Sequence, residues 1–179
     1  MLVVSVAHNE VMGDRYSAAM VARLLDTPLP NVHVVVKLHP QDRRSSPYEH
    51  LLAGLARAGG YAATPVTSIR DIDISRLLAS ADAHLGQHST VLTDAVAAGT
   101  PNMIATDQAY GDVLGYVAAG VAVPVRSPAD VAAFMAAPVA PSPEARAAFL
   151  GVHDRPGDAA ARIAAIALAA ANSATNAAT

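Results

Sequence analysis

Val35-Val36-Lys37-Leu38-His39-Pro40 and, further along, Gly86-Gln87-His88-Ser89-Thr90-Val91 are the two stretches on which the reading of this sequence turns. Each ends an apolar run with polar residues, the pattern of a buried strand reaching the edge of an open α/β sheet, where such sheets bind their ligands. Together they read as two walls of one phosphate site.

The sequence on either side supports that frame. Residues 2–7 and 32–38 are apolar runs that read as buried parallel strands, and Tyr16, Met20, Val21, Leu24 and Leu25 recur between them at helical spacing until Pro28 and Pro30. A second helix is predicted over 48–58, with Gly59-Gly60 as its stop, and a third strand over 61–66. Helix 73–81, strand 83–86, a helix from a Ser89 or Thr90 cap to Ala98, and a strand over 101–105 follow. Next come a helix over 110–119, a strand over 121–125 and a helix over 128–136 capped by Ser127. After a proline-rich connector, 138–143, the pattern gives a helix through Phe149, a turn at 154–157, a last helix over 158–171 and a frayed tail, 172–179. Six strands alternating with helices imply a doubly wound, Rossmann-like parallel α/β sheet with helices on both faces and strand order 3-2-1-4-5-6. Residues 1–171 are expected to form one domain. In that order strands 1 and 4 are neighbours, so the loops after them meet at the topological switch point.

Composition narrows the chemistry. A chain of 179 residues can bury one ordinary core. Although 53% of the residues are apolar, no run approaches the roughly 20 needed to span a membrane. Residues 1–6 do not resemble a signal peptide, so a cytoplasmic location is expected. The absence of cysteine removes disulfides, thiolate zinc sites and cysteine nucleophiles. A net charge of −3 argues against binding a nucleic-acid polymer, while leaving room for a local basic pocket. Lys37 is the only lysine.

The candidate residues cluster at the predicted strand ends. His88, Ser89 and Thr90 open a helix, where backbone N–H groups, hydroxyls and the positive helix end suit a phosphate; the alternative is that Ser89 or Thr90 is only a helix cap. His39, stiffened by Pro40, can donate to a phosphate oxygen or exchange a proton with a leaving group, and alternation puts Lys37 on the same face. Arg43 and Arg44 follow on the same loop and can clamp phosphate, or remain solvated. His8 and Asn9, with Glu10 and Asp14 nearby, end the first strand and are candidate donor or acceptor contacts. His84 and His88 are four apart, but they straddle a strand-helix junction with no acidic third ligand, so no metal site is expected. P-loop, GxGxxG and Gly-x-Ser-x-Gly patterns are absent, and no cofactor is implied.

Lys37-Leu38-His39-Pro40, the 73–78 helix, Ser80-Ala81-Asp82, Ser89-Thr90, Asp94-Ala95 and Gly99-Thr100-Pro101, in that order, resemble the C-terminal half of GT-B glycosyltransferases. The resemblance is nearest to the branch with CDP-glycerol glycerophosphotransferases, bacterial sialyltransferases and capsule-polymer transferases, and it runs from about Leu2 to Ile163. It implies one half of a GT-B architecture that binds a CDP-, CMP- or UDP-linked sugar or polyol phosphate in cell-surface polymer synthesis. By position, His39 would contact the donor phosphates and assist the leaving group, with Ser89 and Thr90 binding those phosphates. Asp94 stands where many such domains carry Glu for the donor ribose or sugar. The resemblance also implies an N-terminal acceptor-binding domain, in the same or another chain, through which the protein would reach the inner face of the membrane. The domain alone is then expected to bind donor without turnover. Base recognition is expected around residues 66–70. Two alternatives are a noncatalytic GT-B-like module partnering a separate acceptor domain and an enzyme like the UDP-N-acetylglucosamine 2-epimerases.

Overall fold

The computed structural model describes residues 1–5, 23–25, 29–39, 66–69, 71–87, 89–106, 112, 114–151, 161 and 163–168. The predicted helix at 48–58, the turn at 154–157 and the tail lie outside these residues. So do His8, Asn9, Glu10, Asp14, Arg43, Arg44 and His88.

Six parallel strands form one sheet: β1 (Leu2–Ser5), β2 (Val34–Lys37), β3 (Val66–Ile69), β4 (Ala83–Gly86), β5 (Asn102–Ala105) and β6 (Val123–Val125). Their order, β3-β2-β1-β4-β5-β6, is the one the alternating pattern predicts. Val3 is level with Val35 on one side and His84 on the other, and His84 is level with Asn102. Leu2–Val4 of β1 and Val34–Val36 of β2 read as unbroken apolar runs because both faces of these strands are covered.

Alternation along the strands sorts their side chains into two cores. Leu2, Val4, Val34, Val36, Leu38, Leu85, Met103 and Ala105 pack with Leu24, Leu25 and Leu29, and with Val131 and Phe134 of helix α3 (Pro128–Ala136). On the other face, Val3 and Val35 meet Leu77 and Leu78 of α1 (Ile74–Ala79) and Ala95 of α2 (Val91–Ala98). Ile104 extends that face toward Leu92, Val96, Tyr116 and Val121, over which Phe149 and Leu150 of α4 (Pro143–Leu150) close.

Local chemistry fixes the helix ends. Asp73 caps α1 by accepting from the Ser75 and Arg76 amides at 2.8 and 3.4 Å, and Ser127 with Asp130 forms a capping box on α3. Helix α2 stops at Gly99, whose φ of 74° is left-handed. Beyond it, Arg146 of α4 donates from Nε to the Val96 carbonyl (2.8 Å) and from Nη2 to the Ala97 carbonyl (2.6 Å). The guanidinium thus satisfies the Ala97 carbonyl, adds a second donor to the Val96 carbonyl that also accepts from Gly99 N–H, opposes the negative helix end and ties α4 to α2. Arg146→Ala should cost about 1–2 kcal/mol in urea melts, with Arg146→Lys recovering only part of it because an ammonium lacks the planar fork.

Two predicted elements are corrected. The third strand is β3 at Val66–Ile69, past all but the last residue of the predicted span; residues 61–65 and Arg70 lie outside the described residues, and residues 66–69, where base recognition is expected, form the strand beside β2. Leu38 N–H continues the ladder to the Ile69 carbonyl at 2.9 Å. This Val-Thr-Ser-Ile stretch is richer in β-branched residues than Tyr-Ala-Ala-Thr before it, which suits it to pairing. The helix expected over 110–119 is also not formed among the described residues, where 114–120 make turns. Gly115, with φ 75°, takes a left-handed conformation that interrupts the helical path, and the Asp112 carboxylate accepts from the amides of Tyr116 (2.8 Å) and Val117 (2.6 Å). Among the described residues, no helix is long and apolar enough to cross a membrane.

Candidate functional site

The carboxyl ends of β2, β1 and β4 lie side by side at the switch point. Ser5, which ends β1, is level with Lys37, which ends β2, while Val4 pairs with Leu85 just before the end of β4. Strands β2 and β4 are two strand spacings apart, roughly 10 Å. One diphosphate-bearing ligand can therefore reach both ends.

On the β2 side, Lys37 is buried and its Nζ donates to the Leu38 carbonyl at 2.8 Å. Because Leu38 belongs to the opposite core, alternation returns half-buried His39 to the Lys37 face. On the β4 side, the chain leaves Gly86 and enters α2 through Ser89 and Thr90. Ser89 Oγ accepts from the Val91 amide at 3.2 Å, whereas Thr90 occupies the N-cap position without a side-chain cap bond. Only the first hydroxyl is committed to starting the helix. Thr90 is exposed, so its hydroxyl is open to solvent beside the N-terminus of α2. Asp94 is exposed in the first turn of α2, where its charge partly offsets the positive helix end.

Beneath this turn runs a polar network that local sequence patterns do not reveal. Asn102 Nδ2 donates to the Leu92 carbonyl at 3.2 Å, which leaves Asn102 Oδ1 to accept from His84 Nδ1 at 2.8 Å. The proton therefore resides on Nδ1, and Nε2 accepts from Ser5 Oγ at 2.8 Å. Fully buried, the imidazole is held neutral: loss of water drives its pKa down to about 4, an effect the Asn102 hydrogen bond partly counters. One line of bonds thus joins β1, β4 and β5 to the first turn of α2. With both ring nitrogens occupied, His84 has no lone pair left for a metal. Gly86 makes the arrangement fit, since a Cβ there would lie 2.8 Å from His84 Cε1 and 3.1 Å from Leu92.

To the β5 side of the turn lies a cavity of about 280 Å³, floored by Leu92, Ile104 and Tyr116 and bordered by Gln87, Ser89 and Thr90. Tyr116 is set firmly, its hydroxyl 2.9 Å from Thr93 Oγ1 and its ring 4.9 Å from that of Phe149. Neither Gln87 nor Tyr116 stands out in the sequence as a site residue. Gln87 lies inside the second opening stretch without a local pattern to mark it, and Tyr116 falls within the segment expected to be helical.

No family model and no curated protein matches this chain. Among solved structures it is similar to AviGT4, a glycosyltransferase involved in avilamycin A biosynthesis, at 19% identity and a TM-score of 0.51; the match covers 84% of this chain and 45% of AviGT4. It is also similar to WaaG, a glycosyltransferase involved in lipopolysaccharide biosynthesis, at 19% identity and a TM-score of 0.46, over 75% of this chain and 36% of WaaG. The chain thus spans less than half the length of either. At this identity the likeness to AviGT4 is one of fold: the chain has the Rossmann-like α/β architecture of one part of that glycosyltransferase.

Proposed function

We propose that the carboxyl edge of the sheet holds the phosphates of a nucleotide-linked donor, and that the chain is the donor-binding half of a GT-B glycosyltransferase or a glycerophosphotransferase-like enzyme. The observation that carries this reading is the Ser89-Thr90 turn. It presents a helix N-terminus and an uncommitted Thr90 hydroxyl at the switch point, beside the strand that ends in Lys37 and His39. The fold shared with AviGT4, over less than half of that glycosyltransferase, supports it.

In this reading Thr90 and the first amides of α2 bind one phosphate, and Lys37 lends positive charge from β2. His39 donates to a phosphate oxygen and, in a complete enzyme, steadies the negative charge that develops on the departing nucleotide. A CDP-, CMP- or UDP-linked sugar or polyol phosphate, as used in building cell-surface polymers, is the donor class. A second domain would bring the acceptor into line, so this half alone binds without turnover.

Titration calorimetry with pyrophosphate, CMP, CDP and UDP tests the proposal. Binding in the micromolar-to-millimolar range is expected, weakening as salt is added. Thr90→Val and His39→Ala should each weaken it about tenfold, the scale of one hydrogen bond to a charged group. Thr90→Val should leave stability nearly unchanged, because its hydroxyl makes no cap bond. Failure of all four ligands to bind, or indifference to both substitutions, would reject the phosphate site and favour the noncatalytic module.

A further inference from the structure

Gln87 is the first residue after β4 and is 6% exposed, yet neither its Oε1 nor its Nε2 has a hydrogen-bond partner among the described residues. Buried amides are normally satisfied, because losing water without gaining a partner is costly on both the donor and the acceptor side. This one borders the cavity beside the Ser89-Thr90 turn. A side chain whose two polar atoms are both unspent, next to a helix N-terminus, is arranged for something that arrives from outside.

We propose that Gln87 reads a planar, amide-like group that carries both a hydrogen-bond donor and an acceptor, on the same ligand whose phosphate lies at Ser89 and Thr90. This rests on the phosphate reading above and deepens it. A glutamine amide offers one acceptor oxygen and two N–H donors on a single plane, so its natural complement is another amide-like group. The walls agree with such an occupant: Leu92, Ile104, Leu114 and Tyr116 supply apolar surface for the face of a flat group or for a methyl attached to it. About 280 Å³ is small beside pockets that enclose whole drug-sized ligands, so the cavity takes one such group and not an entire nucleotide donor. Two parts of an activated donor carry such a group: a pyrimidine base, whose edge sets a donor beside an acceptor and can pair with both atoms of the glutamine amide at once, and the acetamido substituent of an amino sugar, whose trans N–H and carbonyl face opposite ways and can meet one of them.

The test compares the full chain with its Gln87→Met and Gln87→Leu variants by calorimetry. Four ligands are used: pyrophosphate, UDP, glucose 1-phosphate and N-acetylglucosamine 1-phosphate. Replacing an unpaired buried amide with an apolar side chain should raise Tm by about 2–4 °C in the absence of ligand. Pyrophosphate and glucose 1-phosphate should bind the variants as they bind the wild type. A loss of tenfold or more confined to UDP identifies the base as the group Gln87 reads, and one confined to N-acetylglucosamine 1-phosphate identifies the acetamido group. If pyrophosphate binds and no ligand discriminates wild type from either variant, the role of Gln87 is refuted and the phosphate site stands. If no phosphorylated ligand binds the wild type, the phosphate reading falls and this inference with it.

Discussion

His84→Ala is expected to destabilise the chain by about 3–5 kcal/mol at neutral pH, the scale of a large buried truncation combined with orphaned polar partners. The substitution empties a fully buried site and leaves Ser5 Oγ and Asn102 Oδ1 without the nitrogens they face. It also frees the amide that holds the Leu92 carbonyl, so the first turn of α2 should loosen, and the phosphate binding proposed there should weaken along with stability.

The same residue sets a pH dependence whose sign follows from its pKa. In the unfolded chain His84 titrates at the ordinary 6.5, whereas in the folded chain it titrates at about 4. Between those values the unfolded chain binds a proton that the folded chain refuses. Stability is therefore complete above pH 6.5, declines as pH falls toward 4 and levels off below that, with a total change of about 3 kcal/mol. Asp130 and Glu144 are held low by hydrogen bonds, the first chiefly by the Arg126 amide and the second by the amide of its own residue. Their contributions are lost only as pH falls below the ordinary carboxylate range, so of these three groups His84 alone acts in the interval from 7.5 to 5. Urea melts across that interval should slope more steeply for the wild type than for His84→Gln. Equal slopes would mean that the buried imidazole is not the titrating group.

Tyr116→Ala should cost a further 3–5 kcal/mol or so relative to wild type. Its ring is buried against Phe149 and packs in the cluster that holds α4 to the sheet. Tyr116→Phe keeps that packing and removes only the bond to Thr93, so about 0.5–1.5 kcal/mol is expected. The pair separates the ring from its hydroxyl. A large loss in Tyr116→Phe would show that the hydroxyl, and not burial of the ring, anchors the turns at 114–120.

The legible parts of this fold are those whose signal is local. The runs ending at Ser5 and Lys37 could be read as buried strands because a parallel sheet covered on both faces permits apolar residues at successive positions. Asp73 and Ser127 announced their helices through short-range cap chemistry. The segment around Leu114 and Val117 misled because its helical spacing is real, but left-handed Gly115 and the Asp112 carboxylate outweigh it. At the site, the Ser89-Thr90 turn was legible as the start of a helix. The His84 network was not, since its bonds join residues 79 and 18 positions apart. Spacing alone linked His84 to His88 as a weak metal pair, whereas the fold places the ring among Ser5, Asn102 and Gly86.

Strand β6 limits how this sheet can grow sideways. Thr106 N–H donates to the Val125 carbonyl at 3.1 Å, so Val125 directs its backbone polar groups toward β5, and by alternation Pro124 directs its own outward. There a proline ring stands in place of the N–H that an incoming strand would have to engage. Val123 beside it is 41% exposed, an apolar lure on an otherwise open margin. The proline disarms that margin against strand-to-strand recruitment by other chains, so a second domain or subunit on this side would have to dock through side chains rather than by extending the ladder.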